Sequence, residues 1–202
     1  MNTFTIESNC YLKHDINGFY HTDYVGMKKP GNPDYLNELK NDRHDFCKKT
    51  IKHAAQDLKI ILTTQLNKAL EEFQLDKATI CVMPRAKTSS SYTKSQLYFS
   101  KTVSKVVCNI ANLEDGTDWI IRHKNTRTTH LYNPDRDGKA PYIGITGDTC
   151  EISSQVEGKD IILVDDVYTK HVNVNEDALQ ALLDAGANSV QLFVVAKTKK
   201  RH

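Results

Sequence analysis

No apolar run in the 202 residues approaches the ~20 needed to cross a bilayer, so no segment reads as a transmembrane helix. The first residues, Met-Asn-Thr-Phe-Thr-Ile-Glu, lack a basic patch followed by an apolar stretch and do not read as a secretory signal. The cysteines are few, five in all: Cys10, Cys47, Cys81, Cys108 and Cys150. No pair has metal-ligand or redox spacing, so the expectation is reduced thiols in a cytoplasmic protein. Excess charge is also missing. With 27 Lys and Arg against 25 Asp and Glu, the net charge of +2 gives no overall field for nucleic acid. His14, Asp15, His21 and Asp23 are metal-ligand types at no standard spacing. There is no internal repeat and no low-complexity tract.

What is present reads as one α/β domain with an N-terminal extension. Residues 1–34 are polar and turn-rich, with Asn17-Gly18 and Lys29-Pro30-Gly31-Asn32-Pro33 as turn signals. Phe4 to Ile6 and Tyr11-Leu12 read as short strands around the first turn. Tyr35, Leu36 and Leu39 predict a short helix. The spacing of Ile51, Ala54, Ala55, Leu58, Ile61, Leu62, Leu66, Ala69, Leu70 and Phe73 predicts a long amphipathic one. Residues 1–74 are therefore expected to form a mostly helical extension, and residues 75–202 the main domain. Within that domain Ala78 to Met83 reads as a buried strand. A helix follows with Leu97, Val103, Val106, Val107 and Ile110 inward. Trp119 to Ile121 and Tyr142 to Ile145 read as short strands. The last βαβ unit has strands at Ile161 to Val164 and Ser189 to Val195, with a helix from Asn175 to Ala185 stopped by Gly186. This order implies a parallel sheet with helices on both faces.

The most informative stretch is Lys159 to Thr169. Four apolar residues, Ile161 to Val164, run into Asp165 and Asp166. Such a run reads as a buried parallel strand, and the carboxyl edge of a parallel sheet is where open α/β folds bind ligands. Two carboxylates there are costly unless they hold a cation, a base or sugar hydroxyls.

The sequence Val164-Asp165-Asp166-Val167-Tyr168-Thr169, followed by Asn175-Glu176 and Ala185-Gly186-Ala187, resembles the signature of type I phosphoribosyltransferases. The nearest flavour is the ComF-type and amidophosphoribosyltransferase-like branch. The resemblance covers residues 158–198, with a weaker match in the right order over 78–157. It implies a fold with a central parallel sheet and a ligand that is phosphoribosyl pyrophosphate or a nucleoside 5′-monophosphate. Asp165 and Asp166 would face the ribose hydroxyls, with Mg2+ bound indirectly through the ribose. Thr169, Lys170, His171, Val172 and Asn173 would cradle the 5-phosphate. The family's loop reads Thr-Thr-Gly-x-Thr, and His171 replaces its glycine, where the backbone must bend tightly toward the ligand. Lys170 is the candidate compensating charge.

The same resemblance assigns pyrophosphate to the loop after the first sheet strand, here Arg85, Ala86 and Lys87, where cations and hydroxyls collect. It assigns a catalytic role to the basic segment that begins Arg122-His123-Lys124, with Arg122 and Thr126 matching a basic Arg-x-x-x-Thr pattern. The implied reaction moves a phosphoribosyl group to a nitrogen nucleophile. Two other readings stay open: a regulatory module that binds nucleotide or phosphoribosyl pyrophosphate without turnover, and a ComF-like accessory protein of nucleic-acid metabolism. A homodimer fits the resemblance. The tail from Lys197 to Arg201 reads as a solvated face, with a nucleic-acid contact as the other reading. Nothing suggests a membrane partner.

Overall fold

A computed structural model of the chain describes residues 2–40, 46–126, 145, 149–170 and 172–199. In chain order it holds β1 (Asn2–Ile6), β2 (Ile16–Tyr24), α1 (Asp34–Leu39), α2 (Lys48–Glu72), β3 (Ala78–Val82), α3 (Tyr98–Val107), β4 (Leu113–Asp115) and β5 (Ile120–Arg122). β6 (Cys150–Ile152), β7 (Asp160–Tyr168), α4 (Val174–Asp184) and β8 (Ser189–Thr198) follow. The central sheet has the order β1-β2-β8-β7-β3-β4. β2, β8, β7, β3 and β4 run parallel, and β1 closes one edge antiparallel to β2. β5 and β6 pair separately and antiparallel. The protein is thus α/β with a mostly parallel central sheet.

Both faces of that sheet are covered, which is why its central strands are apolar throughout instead of alternating. Ile161 to Val164 are fully buried. Ile162 and Val164 pack with Ile80, Val82 and Phe193 against α1, α2 and α3. Ile161 and Leu163 pack with Cys81, Leu192 and Val194 against α4 and the β5–β6 pair. Helix α2 buries Ile51, Ala54, Leu58, Leu62, Leu66, Ala69 and Leu70, one stripe of a 3.6-residue period. It ends where Gln74 turns left-handed at φ 55° and the Leu75 amide donates back to the Leu70 carbonyl. Gly186, at φ 91°, ends α4. Among the described residues no helix is long and apolar enough to cross a membrane.

The N-terminal residues do more than cover the sheet. β2 lies beside β8 in register from Gly18 with Leu192 to Tyr24 with Thr198. Asn17-Gly18, expected as a turn, lies inside this strand. The reason is Phe4, which pairs with Gly18 and lays its ring over it; a Cβ there would sit 2.6 Å from the ring. The glycine marks a close approach, not a bend. Tyr11-Leu12, expected as a strand, lies outside the sheet. The Asn9 side-chain oxygen accepts from both amides, and buried Leu12 fills the α4 face of the core. The expected strand at 142–145 falls on residues of which only Ile145 is described.

The connections set the position of the site. From β3 the chain crosses through α3 to β4, outward on one side. From β7 it crosses through α4 to β8, outward on the other. The strand order therefore reverses between β3 and β7, and a crevice opens at their carboxyl ends. Pairing of β3 with β7 stops at Val82 and Val164, with one more bond from the Met83 amide to the Val164 carbonyl. Strand β7 runs on against β8 to Tyr168. Asp165 and Asp166 are thus the first residues of β7 that project past its neighbour.

Candidate functional site

Asp165 and Asp166 are both largely withdrawn from solvent, with side-chain exposures of 10% and 23%. Their cation comes from the chain itself. Lys40, just past α1, places its Nζ 2.8 Å from Asp165 Oδ1 and 2.7 Å from Asp166 Oδ1. The other carboxylate oxygen of Asp165 accepts from the Asn175 side-chain amide on α4 at 3.0 Å, and the Asp166 amide donates to Asp165 Oδ1 at 2.8 Å. Beside the ammonium stands the Phe99 ring, 4.9 Å from Nζ to its centroid.

The lysine is held by its main chain as well. Its amide donates to the Leu36 carbonyl at 3.0 Å. Its carbonyl accepts from Arg85 Nη2 at 2.9 Å. Arg85 also donates from Nη1 to the Gln96 carbonyl at 2.6 Å and stacks 4.2 Å over the Tyr92 ring. The Arg85 carbonyl in turn accepts from Arg122 Nε at 2.6 Å. Three basic residues are therefore linked in series: Arg122 holds the backbone of Arg85, Arg85 holds that of Lys40, and Lys40 holds the acids.

A cleft of about 310 Å³ opens on this series. Lys40, Arg85, Lys87 and Arg122 bring positive charge to it against Asp118, while Phe99, Tyr92, Leu97 and Ile120 supply apolar and aromatic wall. The loop after β3 is fastened from the far side. The Ala86 carbonyl accepts from the amide and hydroxyl of Thr126 at 2.6 and 2.9 Å, and the Thr88 amide donates to the Asn125 side chain at 2.8 Å. The Arg122 and Thr126 pattern seen in the sequence thus secures the Arg85-Ala86-Lys87 loop through its carbonyls. Lys124 is exposed and does not line the cleft.

Thr169, Lys170, Val172 and Asn173 do not line that cleft. Thr169 shares a 2.7 Å hydroxyl contact with Thr198, and Lys170 pairs with Glu7 at 2.8 Å. The Val172 amide donates to the Thr169 carbonyl, and Asn173 is left-handed at φ 61°. His171 lies outside the described residues. The first turn of α4 carries Glu176 and Asp177, whose charges already complement the helix dipole. Glu176 is buried and accepts from the Tyr168 hydroxyl at 2.9 Å.

Comparison with models of known families and with curated proteins finds no match. The chemistry of the site therefore rests on its own geometry.

The acids as arranged do not fit a directly bound magnesium ion. Mg2+ demands near-octahedral oxygens at about 2.0–2.1 Å. One oxygen of each acid is already on the Lys40 ammonium, and the second oxygen of Asp165 is on Asn175. Among the described residues no group of three or more His, Cys, Asp or Glu is placed to hold a metal.

Burial is the largest influence on Asp165 and pushes it up to about 6; Lys40 opposes this and the Asp166 charge adds to it. Burial also raises Asp166, but the Lys40 charge and its hydrogen bonds outweigh it and hold the carboxyl below the ordinary range. The consequence for Asp165 has a sign. Its folded value lies above the unfolded one, so between about 4 and about 6 the native state binds the extra proton. Stability from this group is present below that window and is lost as pH rises through it. Asp165→Asn should flatten that fall, as measured by urea midpoints across pH 4–7. An unchanged profile would remove Asp165 as its source.

Lys40 carried no signal as a site residue, and Asn175 entered only as part of the resemblance, with no role assigned to it. The requirement that buried acids find a cation was legible. Which of 27 Lys and Arg would meet it was not, because the partner lies 125 residues away in sequence.

Proposed function

We propose that the protein binds phosphoribosyl pyrophosphate and transfers its phosphoribosyl group to a nitrogen nucleophile, on a fold of the type I phosphoribosyltransferase kind. The observation that carries this reading is the pair Asp165 and Asp166 at the reversal of strand order, joined through Lys40 to a cleft lined by Arg85, Lys87 and Arg122. Carboxylates accept hydrogen bonds from ribose hydroxyls and orient the ring. The acid pair with Lys40 holds two negative charges and one positive. The remaining negative charge would stabilise an oxocarbenium-like ribose as positive charge develops on it. The cations of the cleft suit a diphosphate leaving group, and their mutual bracing keeps them preorganised. Magnesium enters this proposal as the counter-ion of the diphosphate, where it would neutralise the leaving group. Lys124, Thr169, Lys170, Val172 and Asn173 do not line the cleft and carry no part of this reading.

The test is binding and turnover together. Asp166→Asn keeps the shape and removes the charge. A charge-assisted hydrogen bond is worth about 1.5–3 kcal/mol, so phosphoribosyl pyrophosphate should bind roughly ten- to a hundredfold more weakly by calorimetry. Pyrophosphate release with a panel of nitrogen acceptors should fall in parallel. Equal affinity of the wild type and the variant would defeat the reading. A regulatory module that binds without turnover is the second reading, and Lys40 favours it, since its ammonium already occupies one oxygen of each acid. Tight binding with no pyrophosphate release for any acceptor selects it.

A further inference from the structure

We infer that Lys40 is the resident cation of the acid pair and excludes a divalent metal ion from Asp165 and Asp166. The inference deepens the reading above by assigning the metal dependence of the same site, and it rests on that reading only for the identity of the ligand. Four observations support it.

The first is stoichiometric. An ammonium has three N–H donors, and two go to Asp165 Oδ1 and Asp166 Oδ1 at 2.8 and 2.7 Å. This is the bridging position a metal would take between two carboxylates. The second is rigidity. Lys40 is fixed by its own amide on Leu36 and by Arg85 on its carbonyl, so the ammonium is aimed by the fold. The third is solvation. The Lys40 side chain is 15% exposed and lies against Phe99, so its charge has little water to return to. The fourth is the remaining oxygen supply. With Lys40 on one oxygen of each acid and Asn175 on the far oxygen of Asp165, no oxygen of Asp165 is left to join one of Asp166 around a metal ion until Lys40 leaves.

A metal ion and an ammonium cannot share these oxygens, since like charges about 3 Å apart in a buried site repel strongly. The chain has therefore placed a monovalent cation of fixed position where a divalent one would need supply from solution. Any magnesium then arrives on the diphosphate of the ligand. Lys40 is a positioning residue for the acids. It also lines the cleft, where its charge would meet the anionic groups of a ligand.

The experiment uses metal alone, so it does not depend on phosphoribosyl pyrophosphate. Mn2+ binding is followed by electron paramagnetic resonance and Mg2+ binding by calorimetry. The full chain, Lys40→Met and Lys40→Met/Asp165→Asn/Asp166→Asn are compared. The wild type should bind neither ion at the acids. Lys40→Met should gain a site at least about tenfold tighter than any weak binding of the wild type, and the triple variant should lose it. Because Lys40→Met leaves two buried acids unpaired, its melting temperature is read with and without Mg2+. Metal should raise it by roughly 5–10 °C at a concentration about a hundredfold above the dissociation constant, with no rise for the wild type. A merely structural lysine would be lost without this metal rescue. Wild-type binding equal to that of Lys40→Met overturns the inference. So does a Lys40→Met chain that binds no metal, or one that stays unfolded in its presence. If the metal results hold and phosphoribosyl pyrophosphate does not bind the wild type, the ligand assignment alone falls.

Discussion

A chain beginning at Lys77 should fail to fold, whatever the function of the site. That truncation removes β1, β2, α1 and α2. Without β2, the long strand β8 becomes a sheet edge with unpaired amides and carbonyls from Leu192 to Thr198. Without α2, Ile80, Val82, Ile162, Val164 and Phe193 lose their cover on one face. Burying one leucine contributes about 1.5–3 kcal/mol, so Leu58, Leu62, Leu66 and Leu70 alone account for on the order of 6–12 kcal/mol. A whole domain is stable by only about 5–15 kcal/mol. The truncated chain should therefore be aggregated or lack a cooperative thermal transition, as circular dichroism and size-exclusion chromatography would show. A monomeric chain with a sharp melt would mean that the second strand and helix contribute little to the core. The same truncation removes Lys40, so a folded fragment would also expose the acid pair without its cation.

The sequence and the structure agree best where the signal is local and periodic. The stripe of α2 was legible because its buried residues recur every three or four positions. Ile161 to Val164 was legible as a doubly covered strand because four β-branched or aliphatic residues in a row have no polar side to give to solvent. Gly186 as a stop was legible because a left-handed residue after a helix favours glycine. Strands β4 and β6 escaped because three residues each, one of them exposed and flanked by loop, carry no period to detect. β2 was hidden for another reason. Asn17-Gly18 has turn composition, and only the Phe4 ring lying across the glycine makes strand the better solution.

The site divides in the same way. Its acids were legible because they follow directly on an apolar strand, one local observation. Arg85 was legible as a charge in the loop after β3, and Arg122 as the start of a basic segment, which the structure places at the end of β5. Their use was not, since what they bond are the carbonyls of Lys40 and Arg85, and no residue type marks a carbonyl as an acceptor. Lys40 and Asn175 depend on contacts 125 and 10 residues away, and for Lys40 nothing local distinguishes it from any other lysine at the end of a short helix.

Replacing both acids with alanine should cost the protein on the order of 3–5 kcal/mol, the usual penalty for removing one side of a buried ion pair. Lys40 would remain under Phe99 with no carboxylate, and the Asn175 amide would lose its acceptor. The loss is large because the surviving ammonium is desolvated, not because the ion pair is intrinsically strong. A second change discriminates between those causes. Adding Lys40→Met to the double alanine variant removes the stranded charge and fills the same volume with an apolar side chain. Most of the lost stability should then return, which appears as a coupling energy of at least about 1 kcal/mol between Lys40 and the acids in a double-mutant cycle. Urea midpoints of the four chains at pH 7 provide the measurement. If the double alanine variant unfolds within about 0.5 kcal/mol of wild type, the ammonium reaches water without its partners. The acids would then be open to cations from solution, and Lys40 could not act as their counter-ion. If the penalty appears but the added methionine does not relieve it, the cost lies in the cavity and the packing around β7, and the electrostatic account of the site fails while the fold stands.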